Sequence, residues 1–354
     1  MLEVNDHSKQ CSTRILELLN AASPWYRALW VPGTSLALRE VLEGSQGVAS
    51  GALSESALEF LCRSTLGLVG PDPGTGISTQ NNSLSTCLKP DHMVFQGFGY
   101  KTLQSIADEV DANYLLRWAE LLKRGERLPP PENVACAIAS HLLDAGFSSD
   151  FLHRWWTYRV RYEPTTLTLA EITADAHRMV SGHENNFEVL ILFSEVPPFD
   201  AGRPQGWLDA HTASNWLKQN GFPVEGIRQK GGAVIMTTAR DSFSSVYNAF
   251  EIINQFARRV LLGSRGKLTP VNMGWVKGQQ EPIKFETTRQ TVKIRTLQRQ
   301  AQVFSGDKSS LVDAAIELLG PVIPLAPTPV ISGAWAAIEA LLSAPGDRDR
   351  GACQ

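Results

Sequence analysis

The stretch GAVIMTTARDSFSSVYNAF, Gly232 to Phe250, changes its period halfway, and that change decides the fold. Its first part, GAVIMTTA, is a short run with the β-branched and apolar content of a buried strand. Asp241 or Ser242 then caps a helix whose Phe243, Val246, Tyr247 and Phe250 lie on one side, with Ile253 and Val260 extending the stripe. A strand leading directly into an amphipathic helix is a building unit of layered α/β structure.

The flanking sequence extends the pattern. FEVLILF, Phe187 to Phe193, is a second strand, and Thr212 to Asn220 is a helix ended by Gly221. Val271 to Val276 and Ile283 to Thr288 are further strand candidates. Strand, helix, strand, helix and then strands predicts a ferredoxin-like α/β sandwich over residues 184–300, with its helices on one face of a small sheet.

Residues 1–183 read as mainly helical. Helices are expected over Ser12 to Asn20, Ser54 to Leu66 with Ser54 as cap, Ala112 to Lys123 stopping at Gly125, and Glu132 to Ala145 ended by Gly146. Another starts at Ser148 or Ser149 and carries Phe151, Leu152, Trp155 and Trp156. Between them, GPDPGTGIST (Gly70 to Thr79) has the glycines of a phosphate loop but no Lys, and reads as a mobile surface loop. After Gln302 come a helix at Ser309 to Leu319, the stiff connector PVIPLAPTPV and a last helix, so residues 301–354 read as the start of an incomplete helical domain. The fold class is α+β.

Composition excludes several classes. With 43% apolar and 19% charged residues and no run of eighteen apolar residues, the chain reads as an ordinary globular protein with no membrane segment. The polar N-terminus lacks a signal-peptide core, so a cytoplasmic location is the default. Five scattered cysteines without a CxxC pair read as reduced structural thiols. No HExxH or GxSxG pattern is present, and His177 and His183 are spaced wrongly for one helical face. No metal or cofactor is expected.

Charge is distributed unevenly. Between Arg258 and Lys308, eleven Lys or Arg face three acids, a local net of +8; the total of −3 leaves −11 for the remainder. Lys284, Arg289, Lys293, Arg295 and Arg299 form the densest part. A solvated face, a track for RNA or DNA phosphates, and pairing with the chain's own acidic remainder all fit this block. FLHRWWTYRVRY, Phe151 to Tyr162, sets Arg154 and Arg159 among aromatics. That mixture suits nucleic-acid binding, and equally a helix that buries its tryptophans while its arginines reach solvent.

In ISGAWAAIEALL, residues 331–342, the side chains of Trp335, Ile338, Leu341 and Leu342 share one helical face. The stretch resembles the opening helix of HEPN-type domains in bacterial phage-defence proteins, and the preceding α/β segment is similar to the region upstream of that domain. The resemblance implies a role in abortive-infection-like defence and a ribonuclease motif of Arg followed four to six residues later by His. No histidine follows His211, and Arg348 and Arg350 stand in a Gly/Asp-rich turn, so no catalytic residue is carried over. The expectation is a fragment or shortened relative: a non-catalytic nucleic-acid-sensing or assembly portion, dimerising through Trp335, Ile338, Leu341 and Leu342. A stand-alone nuclease or transferase with a dispersed site, and a protein-interaction scaffold, are the alternatives.

Overall fold

The computed structural model describes residues 6–26, 33–76, 83–89, 93–125, 128–161, 168–196, 204–264 and 268–285, together with 335, 336 and 338. It is an α+β protein that divides between His183 and Glu184 into a helical unit and a unit built on a sheet.

The helical unit contains α1 (Asp6–Leu19), α2 (Thr34–Ala49), α3 (Glu55–Val69), α4 (Ser83–Cys87), α5 (Phe98–Arg124), α6 (Pro131–Asp144), α7 (Ser149–Arg161) and α8 (Leu169–Val180). The long α5 is its centre: α2, α4 and α8 pack along it, while α1 packs on α6 and α7. Leu103, Ala107, Val110, Tyr114 and Trp118 form the buried stripe of α5 at helical spacing. Trp156 is fully buried and its indole N–H donates to Ser12 Oγ at 3.0 Å, which satisfies the one polar group that burial would otherwise orphan.

Caps form where the sequence placed them. Ser54 accepts from the Ala57 N–H, and Gly125 ends α5 at φ 69°, in the left-handed region that glycine enters without a Cβ clash. Three helices, α2, α4 and α8, were not foreseen. The stripe of α2 is interrupted by Gly44, Ser45 and Gly47, all buried: a Cβ on Gly44 would stand 2.9 Å from Leu61 Cδ1 of α3, Gly47 faces Leu53, and Ser45 Oγ donates to the Met93 carbonyl. α8 is signalled by its capping box, Thr168 with Glu171, and by Leu169, Ile172, Thr173 and Ala176 at helical spacing.

The second unit contains β1 (Asn185–Phe193), β2 (Trp207–Asp209), α9 (Ala210–Gln219), β3 (Gly231–Ala239), α10 (Ser242–Ser264), β4 (Pro270–Val276) and β5 (Ile283–Lys284). Asp241 caps α10, its Oδ1 accepting from the Ser244 N–H at 2.8 Å. The strand order is β2-β3-β1-β4-β5, and every pairing is antiparallel. β3 and β4 therefore run parallel to each other on either side of β1, joined by α10.

The layering corrects one expectation. Val189, Ile191 and Phe193 of β1 pack with Val246, Ala249, Phe250 and Ile253 of α10. Leu190 and Leu192 pack instead with Ala213 and Leu217 of α9 and with Phe222. Side chains alternate faces along a strand, so α9 and α10 cover opposite faces. The helices do not share one face as the ferredoxin-like expectation required. The reason lies in β1 itself: residues 189–193 are all fully buried, as a strand covered on both sides must be.

Of the C-terminal expectations, Arg289, Lys293, Arg295, Arg299, Leu341, Leu342 and the helical domain of residues 301–354 lie outside the described residues. Trp335 and Ile338 are helical and 54% and 47% exposed. Among the described residues, no helix is long and apolar enough to cross a membrane.

α10 lies so close over β4 that a Cβ on Gly274 would come within 2.7 Å of Val246 Cγ1. Gly274→Val is predicted to cost about 1–3 kcal/mol by overpacking, read from a urea melt. Adding Val246→Ala should recover part of the loss. An unchanged melt for the single variant contradicts this close packing.

Candidate functional site

The sequence-named residues fall into two groups. Lys284 lies on β5 and is exposed. On α7, Arg154 is exposed, but Arg159 turns inward to an ion pair with Asp175 of α8, which also pairs with Arg178. Arg159 therefore joins two helices. Arg154, the 57%-exposed Tyr158 and Arg161 recur at positions i, i+4 and i+7, on one exposed face.

The most developed arrangement of polar groups in the helical unit centres on Asp72, which sequence reasoning passed over. The expected mobile loop is pinned over residues 71–76. Asp72 caps a single 3-10 turn, Pro73–Thr75, by accepting from the Gly74 N–H at 2.8 Å. Its other oxygen accepts from Thr34 Oγ1 at 2.5 Å and from the Tyr114 hydroxyl at 2.6 Å. Thr75 Oγ1 donates back to the Asp72 carbonyl at 2.9 Å, and Arg117 binds both the Thr75 carbonyl and Glu109. One carboxylate thus ties the start of α2, the middle of α5 and the turn together. The dipeptide Asp-Pro followed by Gly was the available signal, since Asp accepts from a backbone N–H two residues on and Pro presets the first turn position.

Beside this knot is a pocket of about 280 Å³. Trp118 and the rings of Pro71, Pro73 and Pro129 form its apolar walls; Thr34, Asp72 and Ser140 supply polar groups. The indole N–H of Trp118 stands near the Tyr114 hydroxyl but outside hydrogen-bonding geometry, and it has no partner. Gly74 is required here, because a Cβ would run into both Trp118 and Tyr114.

Behind the pocket the polar groups continue. The Gly33 N–H donates to Asp144 Oδ2 at 2.7 Å, and Ser35 and Arg39 bind the two oxygens of Asp111. His141 stacks on Tyr114 with ring centres 4.7 Å apart. Burial governs the protonation of this group. It raises the Asp144 carboxyl to about 7, against the stabilising Gly33 N–H and with help from Glu40 and Asp111. It raises Glu40, whose Oε1 is buried without a partner, to about 7, with Glu43 adding repulsion. It lowers His141 to about 4. Burial and the neighbouring Asp72 push Tyr114 well above the usual phenol range.

Chemically, this is a set of neutral donors around one carboxylate. The Cys136 thiol in the pocket is raised by burial and so keeps its proton, which disfavours it as a nucleophile. Among the described residues no group of three His, Cys, Asp or Glu could hold a metal ion. The arrangement is suited to binding.

The carboxyl shift of Asp144 has a consequence for stability. Between its ordinary 3.8 and about 7, the folded protein retains a proton that the unfolded chain releases, so this group's contribution declines as pH rises through that window. His141 acts in the opposite sense between about 4 and 6.5, and its effect is common to parent and variant. Asp144→Asn, which cannot titrate, should therefore gain in melting temperature relative to the parent as pH goes from about 5 to about 8. A gap that stays constant in thermal melts refutes the buried neutral carboxyl.

No family model, curated protein or solved structure matches this chain, so its site is read from its own geometry.

Proposed function

We propose that the helical unit is a ligand-recognition module, and that the chain serves as a non-catalytic sensing or assembly portion of a bacterial defence protein similar to the HEPN group. The carrying observation is the pocket with Asp72 on its wall and the donors Thr34, Tyr114 and the Gly74 N–H around that carboxylate. A concave, mainly apolar site with a few convergent polar groups is the usual form of a small-molecule site. The raised Cys136 thiol favours recognition over covalent chemistry. The resemblance of ISGAWAAIEALL to HEPN-type helices supports the defence setting.

Ala137 lines the pocket without touching Asp72's hydrogen bonds, so Ala137→Leu should occlude it while leaving the fold intact. In a small-molecule library followed by ligand-observed NMR, the parent should show binders that the variant loses. A library with no binder, or binders kept by the variant, overturns the pocket reading.

A second reading, nucleic-acid binding, is favoured by the exposed face of Arg154, Tyr158 and Arg161 on α7. Two cations beside an aromatic suit phosphate contact with base stacking. Replacing Arg154 and Arg161 by Glu should then weaken RNA and DNA binding alike by about tenfold and flatten the salt dependence. Gel shifts at two salt concentrations decide it: undetectable or salt-insensitive binding by the parent ends this reading.

A further inference from the structure

We propose that the pocket of the helical unit is a site for a small primary ammonium ion, bound by the Asp72 carboxylate with Trp118 as the adjoining wall. This rests on the pocket being a ligand site, and it names the chemical class that the site takes.

The argument starts from the acceptor capacity of Asp72. An ionised carboxylate offers about four acceptor positions. Three are taken: Oδ2 by Thr34 and Tyr114, Oδ1 by the Gly74 N–H. The position left over belongs to Oδ1, on a residue that lines the pocket. A ligand that completes the set must bring a donor.

Charge selects which donor. Among the described residues lining the pocket, Asp72 is the only charged one. Arg117, the nearest cation to the turn, is engaged by Thr75 and Glu109 and does not line the cavity. The Gly33 N–H at the start of α2 is directed to Asp144. Tyr114, with its hydroxyl proton held tightly, remains a donor to Asp72. An anionic ligand is therefore repelled, and a neutral donor makes only the weaker kind of bond. An ammonium group makes the charge-assisted one.

The walls are consistent with such a guest. Trp is the side chain best able to attract a cation through its ring, and three proline rings offer apolar surface to a short hydrocarbon stem. At about 280 Å³ the cavity lies at the small end of ligand sites, so the guest is a compact amine rather than a polyamine chain.

Three compounds of one shape test this: benzylammonium, benzyl alcohol and benzoate, titrated calorimetrically into the full chain at equal ionic strength. Benzylammonium should bind at least about tenfold more tightly than the alcohol, and benzoate should not bind. Asp72→Asn should remove the preference for the cation, and Ala137→Leu should remove binding of both compounds while its circular dichroism matches the parent. Should Asp72→Asn fail to fold, the comparison of the three compounds on parent and Ala137→Leu still decides the matter. Equal binding of alcohol and cation, abolished by Ala137→Leu, overturns the ammonium assignment and leaves the ligand pocket standing. Cation binding that survives Ala137→Leu overturns the assignment by placing the amine elsewhere. No binding by any compound up to millimolar concentration overturns both.

Discussion

A half-buried carboxylate must have its hydrogen bonds supplied by the protein, and the organisation of the helical unit around Asp72 follows from that demand. Three donors converge on it from the first residue of α2, the middle of α5 and the turn that Asp72 itself caps. Hydrogen bonds to a charged group contribute more than neutral ones, on the order of 1.5–3 kcal/mol each. The turn at residues 71–76 is therefore held in place although it is short and rich in proline and glycine. Because the turn is held, its prolines form one side of a cavity whose other side belongs to α5 and α6.

The same burial that makes Asp72 demanding pushes its neighbours toward their neutral forms. Asp144 and Glu40 both move to about 7, while His141 moves down to about 4. Each shift goes toward the uncharged form, as desolvation requires. Tyr114 links the two regions: its hydroxyl serves Asp72 while its ring stacks on His141. The unit thus sets one carboxylate beside the cavity, near groups that burial pushes toward their uncharged forms. Perturbed protonation of this kind gathers at functional sites more than elsewhere.

In the second unit the controlling constraint is the central strand. Residues 189–193 of β1 have no polar face, so both of their surfaces must be covered. α10 covers one through Val246, Phe250 and Ile253, and α9 covers the other through Ala213 and Leu217. The layers follow from the alternation of side chains along Val189 to Phe193. Edge strands are short: β2 spans three residues and β5 two, which limits the unpaired backbone available to another chain.

Local signals in the sequence were enough to place most elements. The apolar runs at Phe187 to Phe193 and Gly232 to Ala239 became strands, Ser54 and Asp241 became caps, and Gly125 and Gly221 ended their helices at positive φ. These features depend on residues within a few positions of one another, so they can be read from the chain directly. Other features depend on groups far apart. A uniformly apolar strand says that it is buried without saying which helix covers which side, so the two-sided layering was decided by packing. α2 escaped notice because its glycines make sense only against Leu61 and Leu53 of other segments. Arg159 read as a candidate phosphate contact until α8 supplied Asp175, sixteen residues along. The candidate site was the least legible part. Thr34, Asp72 and Tyr114 are separated by 38 and 42 residues, and nothing local to any one of them reveals the other two. The sequence by itself determined most of the helices and strands and their caps; the carboxylate knot and its pocket exist only because tertiary packing brings two distant donors, Thr34 and Tyr114, to the acceptor of a local turn.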